Sequence, residues 1–163
     1  MEKHTQIALK MDRLQLVSRA LRRRKLREVG LWRGQMPILE YVLEHEGCTQ
    51  SALAAALGLS AATVAVSTKR LAAAGLLTKE ADGENLRCNR LFVTDAGREK
   101  LLAGKLVAEE HNAALFSVLT DEEQQTLCAL FDKLLSQCEE RGVAPSPLDN
   151  YILQNQLESE ETK

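Results

Sequence analysis

The sequence predicts a mainly α fold with a small β-hairpin wing: a winged helix-turn-helix of about six helices, plus a short C-terminal helix. Three observations carry this prediction. Between Thr49 and Leu76 two short helices flank a tight turn, with small Ala54, Gly58 four residues on and apolar Val64 ten residues after Ala54. Gly58 supplies the left-handed backbone that such a turn needs, and Leu53, Leu57 and Leu59 fill the space between the helices. The helical period then stops, and residues 77–80 and 87–93 form two β-prone runs around the turn formers at 81–85. Hydrophobic residues make up 45% of the 163 and aromatics only 4%, with Ala and Leu dominant, which suits helices. A helix pair of this kind places its second helix in the DNA major groove, and a hairpin directly behind it is a wing.

Taken in order, Ile7, Met11, Leu14, Val17 and Leu21 recur at helical spacing, while Leu9, Leu16 and Leu26 add a second apolar strip. A first helix over about 5–28 with two apolar faces needs more cover than one small domain offers. It is expected to dimerise, together with helices over about 95–141. Its end is the run Arg22-Arg23-Arg24-Lys25, where cations sit well against the helix dipole, and Gly30 stops it. Gln35 to His45 forms the next helix, with Pro37 tolerated in its first turn, Ile38, Leu39, Val42 and Leu43 inward, and Gly47 at its end. Thr94 caps a helix to about Val118. Thr120 and Glu123 then form a capping box for a long helix with Leu127, Leu130, Phe131, Leu134 and Cys138 on one stripe.

Residues 1–141 thus read as one domain, with its DNA-binding part at about 33–94, and 142–163 as an extension. Within the extension, Ser146-Pro147-Leu148-Asp149 is a helix start. A helix over about 147–157 is expected, docked on the dimer helices and followed by a frayed acidic end at 158–161. So placed, its removal should lower the melting temperature and spare DNA affinity. The competing reading is a disordered tail, because Leu148, Tyr151 and Ile152 lie nearly opposite Leu153 and Leu157.

The formal net charge is −2, yet charge is unevenly spread. Residues 1–30 carry nine basic and three acidic side chains, residues 60–94 carry five and three, and residues 139–163 carry two and six. DNA binding needs a local basic surface rather than a high overall charge, and a modest footprint per subunit favours a dimer that contributes two. No apolar run reaches the ~18–20 residues that cross a membrane, and MEKHTQIALK lacks the apolar core of a signal peptide, so no membrane association and a cytoplasmic location are expected. Cys48, Cys88, Cys128 and Cys138 show no CxxC spacing, which argues for reduced thiols rather than a zinc ribbon. There is no Ser/His/acid order, Gly-rich phosphate loop or HExxH, and His4, His45 and His111 are scattered. An enzyme is therefore not expected, nor is a metal or other cofactor.

The chain resembles the MarR family of bacterial transcriptional regulators over roughly residues 5–141. The residues that carry the resemblance begin with Gly34-Gln35-x-Pro37-Ile38-Leu39 and Gly47-Cys48-Thr49-Gln50-Ser51-x-Leu53-Ala54. They continue with Ser60-x-x-Thr63-Val64, Lys69-Arg70-Leu71, Gly75-Leu76, Arg87 and Thr94-x-x-Gly97-Arg98. The resemblance implies a triangular homodimer with its apex formed by the first and last two helices. It also implies palindromic operators and relief of repression by small anionic or phenolic effectors. The chain departs from the family pattern at Asn85, where the wing often has an acid that orients the Arg two residues on, and at Asn89, a strand position that is usually apolar. The first helix lacks the Cys of peroxide sensors. Of the His and Glu set of zinc sensors only His111, beside Glu109 and Glu110, is echoed.

Ser60 is the N-cap candidate of the recognition helix, so Ala61 begins it. Val64, Thr68 and Leu71 then face inward, while Ala61, Ala62, Ala65, Val66 and Lys69 face the groove and Thr63 lies at its edge. That face is apolar, suited to thymine methyl groups, with no Arg, Asn or Gln to read bases bidentately. Specificity would also draw on Gln50 and on minor-groove shape sensed by Arg87. Ser51, Arg70 and Arg90 are expected on phosphates, where they position the protein without selecting sequence. Two other readings compete: a winged helix that binds protein instead of DNA, and a redox-responsive regulator. The second would use Cys88, its thiol pKa lowered by Arg87 and Arg90.

Overall fold

Hydroxyl side chains cap five of the helices. Thr49 accepts from the Ala52 amide at 3.1 Å, Ser60 from Thr63 at 3.1 Å, Thr94 from Gly97 at 3.0 Å and Ser146 from Asp149 at 3.2 Å. Thr120 accepts from the Glu123 amide at 3.3 Å while the Glu123 carboxylate accepts from the Thr120 amide at 2.9 Å, the reciprocal box expected from the sequence. Each such cap contributes about 1 kcal/mol. The computed structural model describes residues 2–32, 34–81, 89–142 and 144–161, with side chains as far as Gln156.

The elements are α1 (Lys3–Glu28), α2 (Gln35–Glu44), β1 (Cys48–Thr49), α3 (Gln50–Leu57), α4 (Ala61–Ala73), β2 (Leu77–Ala81), β3 (Asn89–Val93), α5 (Asp95–Phe116), α6 (Asp121–Glu139) and α7 (Pro147–Glu161). The expected hairpin is part of a larger sheet. β3 pairs antiparallel with β2 on one side and with β1 on the other, in the order β1-β3-β2. β1 adds a third strand to the expected hairpin: Cys48 sits opposite Leu91 and Thr49 opposite Arg90. A two-residue strand has no periodicity to read.

One core unites α2, α3, α4, the sheet and the start of α5. Ile38, Leu39, Leu53, Leu57, Val64, Leu71 and Leu91 are all at most 1% exposed. α5 is pressed onto this core at two glycines. A β-carbon at Gly97 would lie 2.2 Å from the Leu76 carbonyl oxygen, and one at Gly104 would lie 2.7 Å from both Leu31 Cδ1 and Met36 Sδ. These close approaches tie the DNA-binding part to the long helices. Lys100 Nζ, donating to the Val29 carbonyl at 2.8 Å, adds a polar link between α5 and the end of α1.

α7 differs from expectation in two ways. It runs to Glu161 rather than fraying at 158–161. It also docks on α3 and α2 rather than on the dimer helices. The physical reason is its first two turns: Leu148 and Tyr151 reach the apolar core, and Tyr151 meets Tyr41 edge-on with ring centres 5.9 Å apart.

Candidate DNA-binding surface

α3 and α4 form the helix-turn-helix, with a bend of 118° between them. Gly58 caps α3 at φ 60°, the left-handed conformation expected there, and the Leu59 amide donates to the Ala54 carbonyl at 2.9 Å. Val64, Thr68 and Leu71 are each fully buried, so the inward face of α4 is the one expected. The opposite face presents Ala61, Ala62, Thr63, Ala65, Val66, Lys69 and Arg70 to solvent, with Ser60 exposed at its start. Val66 is half exposed, an apolar side chain on an open helix face. The Ser60 and Thr63 hydroxyls lie 2.8 Å apart, so the cap also orders the edge residue.

The hydroxyl of Thr68 organises the back of this surface. It accepts from Gln50 Nε2 at 2.5 Å and from Lys79 Nζ at 3.2 Å, and donates to the Ala65 carbonyl at 3.3 Å. A buried hydroxyl without partners would cost stability, and here it joins α3, α4 and β2 in one node. Gln50, an expected DNA contact, and Lys79, one of the basic side chains of residues 60–94, meet here. The structure turns the Gln50 amide nitrogen toward Thr68, while Ser51 beside it is exposed. The signal that could have found the node is a Thr at a core position between Val64 and Leu71.

Arg90 stands on β3 between Thr49 of β1 and Glu80 of β2, and its guanidinium donates to the Gly47 carbonyl at 3.1 Å. It is exposed, and that bond holds it over the α2–β1 turn. Arg87 and Cys88, with the rest of 82–88, lie outside the described residues. Cys48, Cys128 and Cys138 are free thiols, and burial pushes the Cys48 thiol up, so it stays protonated. His111 is buried between α5 and α1, with Nε2 2.8 Å from the Ser18 hydroxyl. Burial lowers its pKa, and the nearby charges of Arg22 and Lys25 lower it further.

A sequence profile described as the MarR family matches residues 29–87, the span from the end of α1 through the helix-turn-helix and into the wing. The chain is thus similar to the MarR family over that span. It is 27% identical over 115 residues to YybA, an HTH-type transcriptional regulator of Bacillus subtilis, covering 71% of this chain and 77% of that protein. Solved structures share the fold. MepR, a transcription regulator of the Staphylococcus aureus multidrug efflux pump MepA, superposes with a TM-score of 0.72 at 22% identity, over 80% of this chain and 97% of MepR. YusO from Bacillus subtilis gives 0.72 at 21% identity, over 82% and 94%. A MepR variant bound to an oligodeoxyribonucleotide gives 0.65 at 23% identity, over 81% and 97%. The protein shares with these structures a winged helix fold. Among the described residues, no single helix is long and apolar enough to cross a membrane.

Proposed function

We propose that this protein is a DNA-binding transcriptional regulator of the MarR type, a homodimer that sets two copies of α4 on a two-fold symmetric operator as a repressor released by a small anionic or phenolic effector. One observation supports the dimer above the others. α1 and α6 bury no residue within the protomer, yet Ile7, Leu9, Leu14, Val17 and Leu21 on α1 and Leu130, Phe131, Leu134 and Leu135 on α6 are each 38–58% exposed. Apolar area left in water forgoes about 25 cal/mol per Å², so long helices striped in this way call for cover. A second copy offers the same stripes about a two-fold axis. Two-fold symmetry then places the recognition helices on half-sites about one helical turn apart. Repression and effector release rest on the resemblance to the MarR family alone.

Ala61, Ala62, Ala65, Val66 and Lys69 are the groove-facing set with Thr63 at its edge, Ser51, Ser60, Arg70 and Arg90 near phosphates and Arg87 in the minor groove. Gln50 acts first through Thr68. Sedimentation tests the dimer: a stable 18.1 kDa monomer at micromolar concentration overturns it. Selection from a random-sequence DNA duplex pool tests the operator. A two-fold symmetric, salt-sensitive winner is the expected result, and an asymmetric one refutes the arrangement.

A further inference from the structure

α7 lies outside the part of the chain that the family profile matches, and it sits on the DNA-binding part rather than on the long helices. It touches two points there. At its start Pro147 packs on the turn between α3 and α4: a β-carbon at Gly58 would lie 2.9 Å from Pro147 Cγ and 3.1 Å from Cβ. One turn on, the Tyr151 hydroxyl donates to Glu44 Oε2 at 2.7 Å, and after a second turn Asn155 Nδ2 donates to Glu44 Oε1 at 3.1 Å. Both oxygens of one carboxylate at the end of α2 are thus held by one helix. Between these points Leu148 and Tyr151 pack on the core. From Pro147 to Asn155 the helix spans about 12 Å.

We propose that α7 is a positioning strut of the DNA reader: docked across the ends of α2 and α3, it holds the helix-turn-helix turn and thereby sets how firmly the protein grips DNA. The turn needs such support. Gly58 and Ser60 are exposed and Leu59 is only half-buried, and Pro147 packs on this joint, which aims α4. A reader that must be ordered at the moment of binding loses affinity to that ordering, and a docked α7 pre-orders it. This rests on the proposed DNA-binding role and needs neither the effector nor the symmetry of the operator.

The experiment compares the full chain, a chain ending at 142, Tyr151→Phe and Gly58→Asn. Each is measured for amide exchange without DNA and for affinity to the duplex that the full chain selects from a random pool. Asn tolerates the left-handed backbone at 58, so its chief effect there is to displace Pro147. Removing α7 should speed exchange at the Gly58 and Leu59 amides and weaken binding about three- to ten-fold, with the salt slope unchanged because no phosphate contact is lost. Tyr151→Phe keeps the ring and loses the Glu44 bond, and should fall between. Gly58→Asn should weaken binding in the full chain more than in the shortened one, since the two changes act on one contact. Unchanged exchange at the turn, or unchanged affinity once α7 is gone, overturns the proposal. So does a loss of affinity traced by sedimentation to dissociation into monomers. Should the shortened chain fail to fold, Tyr151→Phe and Gly58→Asn decide the matter: normal exchange and affinity in both refute the strut. A full chain that selects no duplex refutes DNA binding itself, before any variant is compared.

Discussion

The DNA-binding part and the long helices solve opposite problems. From Leu31 to Leu101 the chain closes a core of its own, with Leu53, Leu57, Val64 and Leu71 removed from water entirely. α1, with 26 residues, and α6, with 19, bury none. The first region has its stability written into contacts within one chain. The second has apolar stripes but little in its own protomer to set them against. On the proposed reading, binding DNA and forming the dimer draw on separate surfaces, joined where α5 presses Gly97 and Gly104 onto the reader. Effects confined to one region should therefore be recognisable by whether they depend on protein concentration.

Leu71→Ala strikes the closed core and should cost about 2–5 kcal/mol of unfolding free energy, independent of protein concentration in the reader. Thermal or urea unfolding checks it, and a loss below ~1 kcal/mol would mean that the site collapses around the gap. Pairing Leu14→Glu with Leu134→Glu should weaken the dimer by on the order of 2 kcal/mol and leave the reader folded. Sedimentation across a dilution series would show it. A mass distribution identical to the parent's would erase the contrast between the regions.

Lys69→Ala should relax sequence preference by about 1 kcal/mol, whereas Arg87→Ala should weaken affinity for all duplexes alike. Competition binding with the selected duplex and scrambled DNA separates the two, and parent-like behaviour in both would misplace the reading surface. The smallest effect concerns pH and the α1–α5 contact. His111 has a lowered pKa in the folded protein, so the unfolded chain takes up its proton first as pH falls. The stability it contributes is present above its unfolded value of about 6.5 and is lost as pH drops through the lower folded value. Melting curves between pH 7.5 and 5 (chosen to bracket that value) should fall less steeply for His111→Gln than for the parent. Parallel slopes would exclude His111 as the titrating group.

Features that act over three or four residues were legible from the start. Thr94, Thr120 and Ser146 cap because a hydroxyl can reach an amide three residues on, and Gly58 is left-handed because other residues pay a steric cost there. The inward face of α4 followed from helical spacing, and with it the exposed face that carries Lys69 and Arg70. Three features were not legible. β1 is two residues long and exists because β3 offers it an edge. The Thr68 hydroxyl takes partners 18 and 11 residues away, so Gln50 and Lys79 converge only once α3, α4 and β2 are packed. The seat of α7 was decided the same way: its apolar residues point in two directions, and the core took Leu148 and Tyr151, with Glu44, 107 residues before Tyr151, bonding the tyrosine hydroxyl. Local rules determine where helices begin, end and face, because those forces act within a turn. Only the tertiary structure could choose among distant partners, since many pairings satisfy the same pattern and packing admits one.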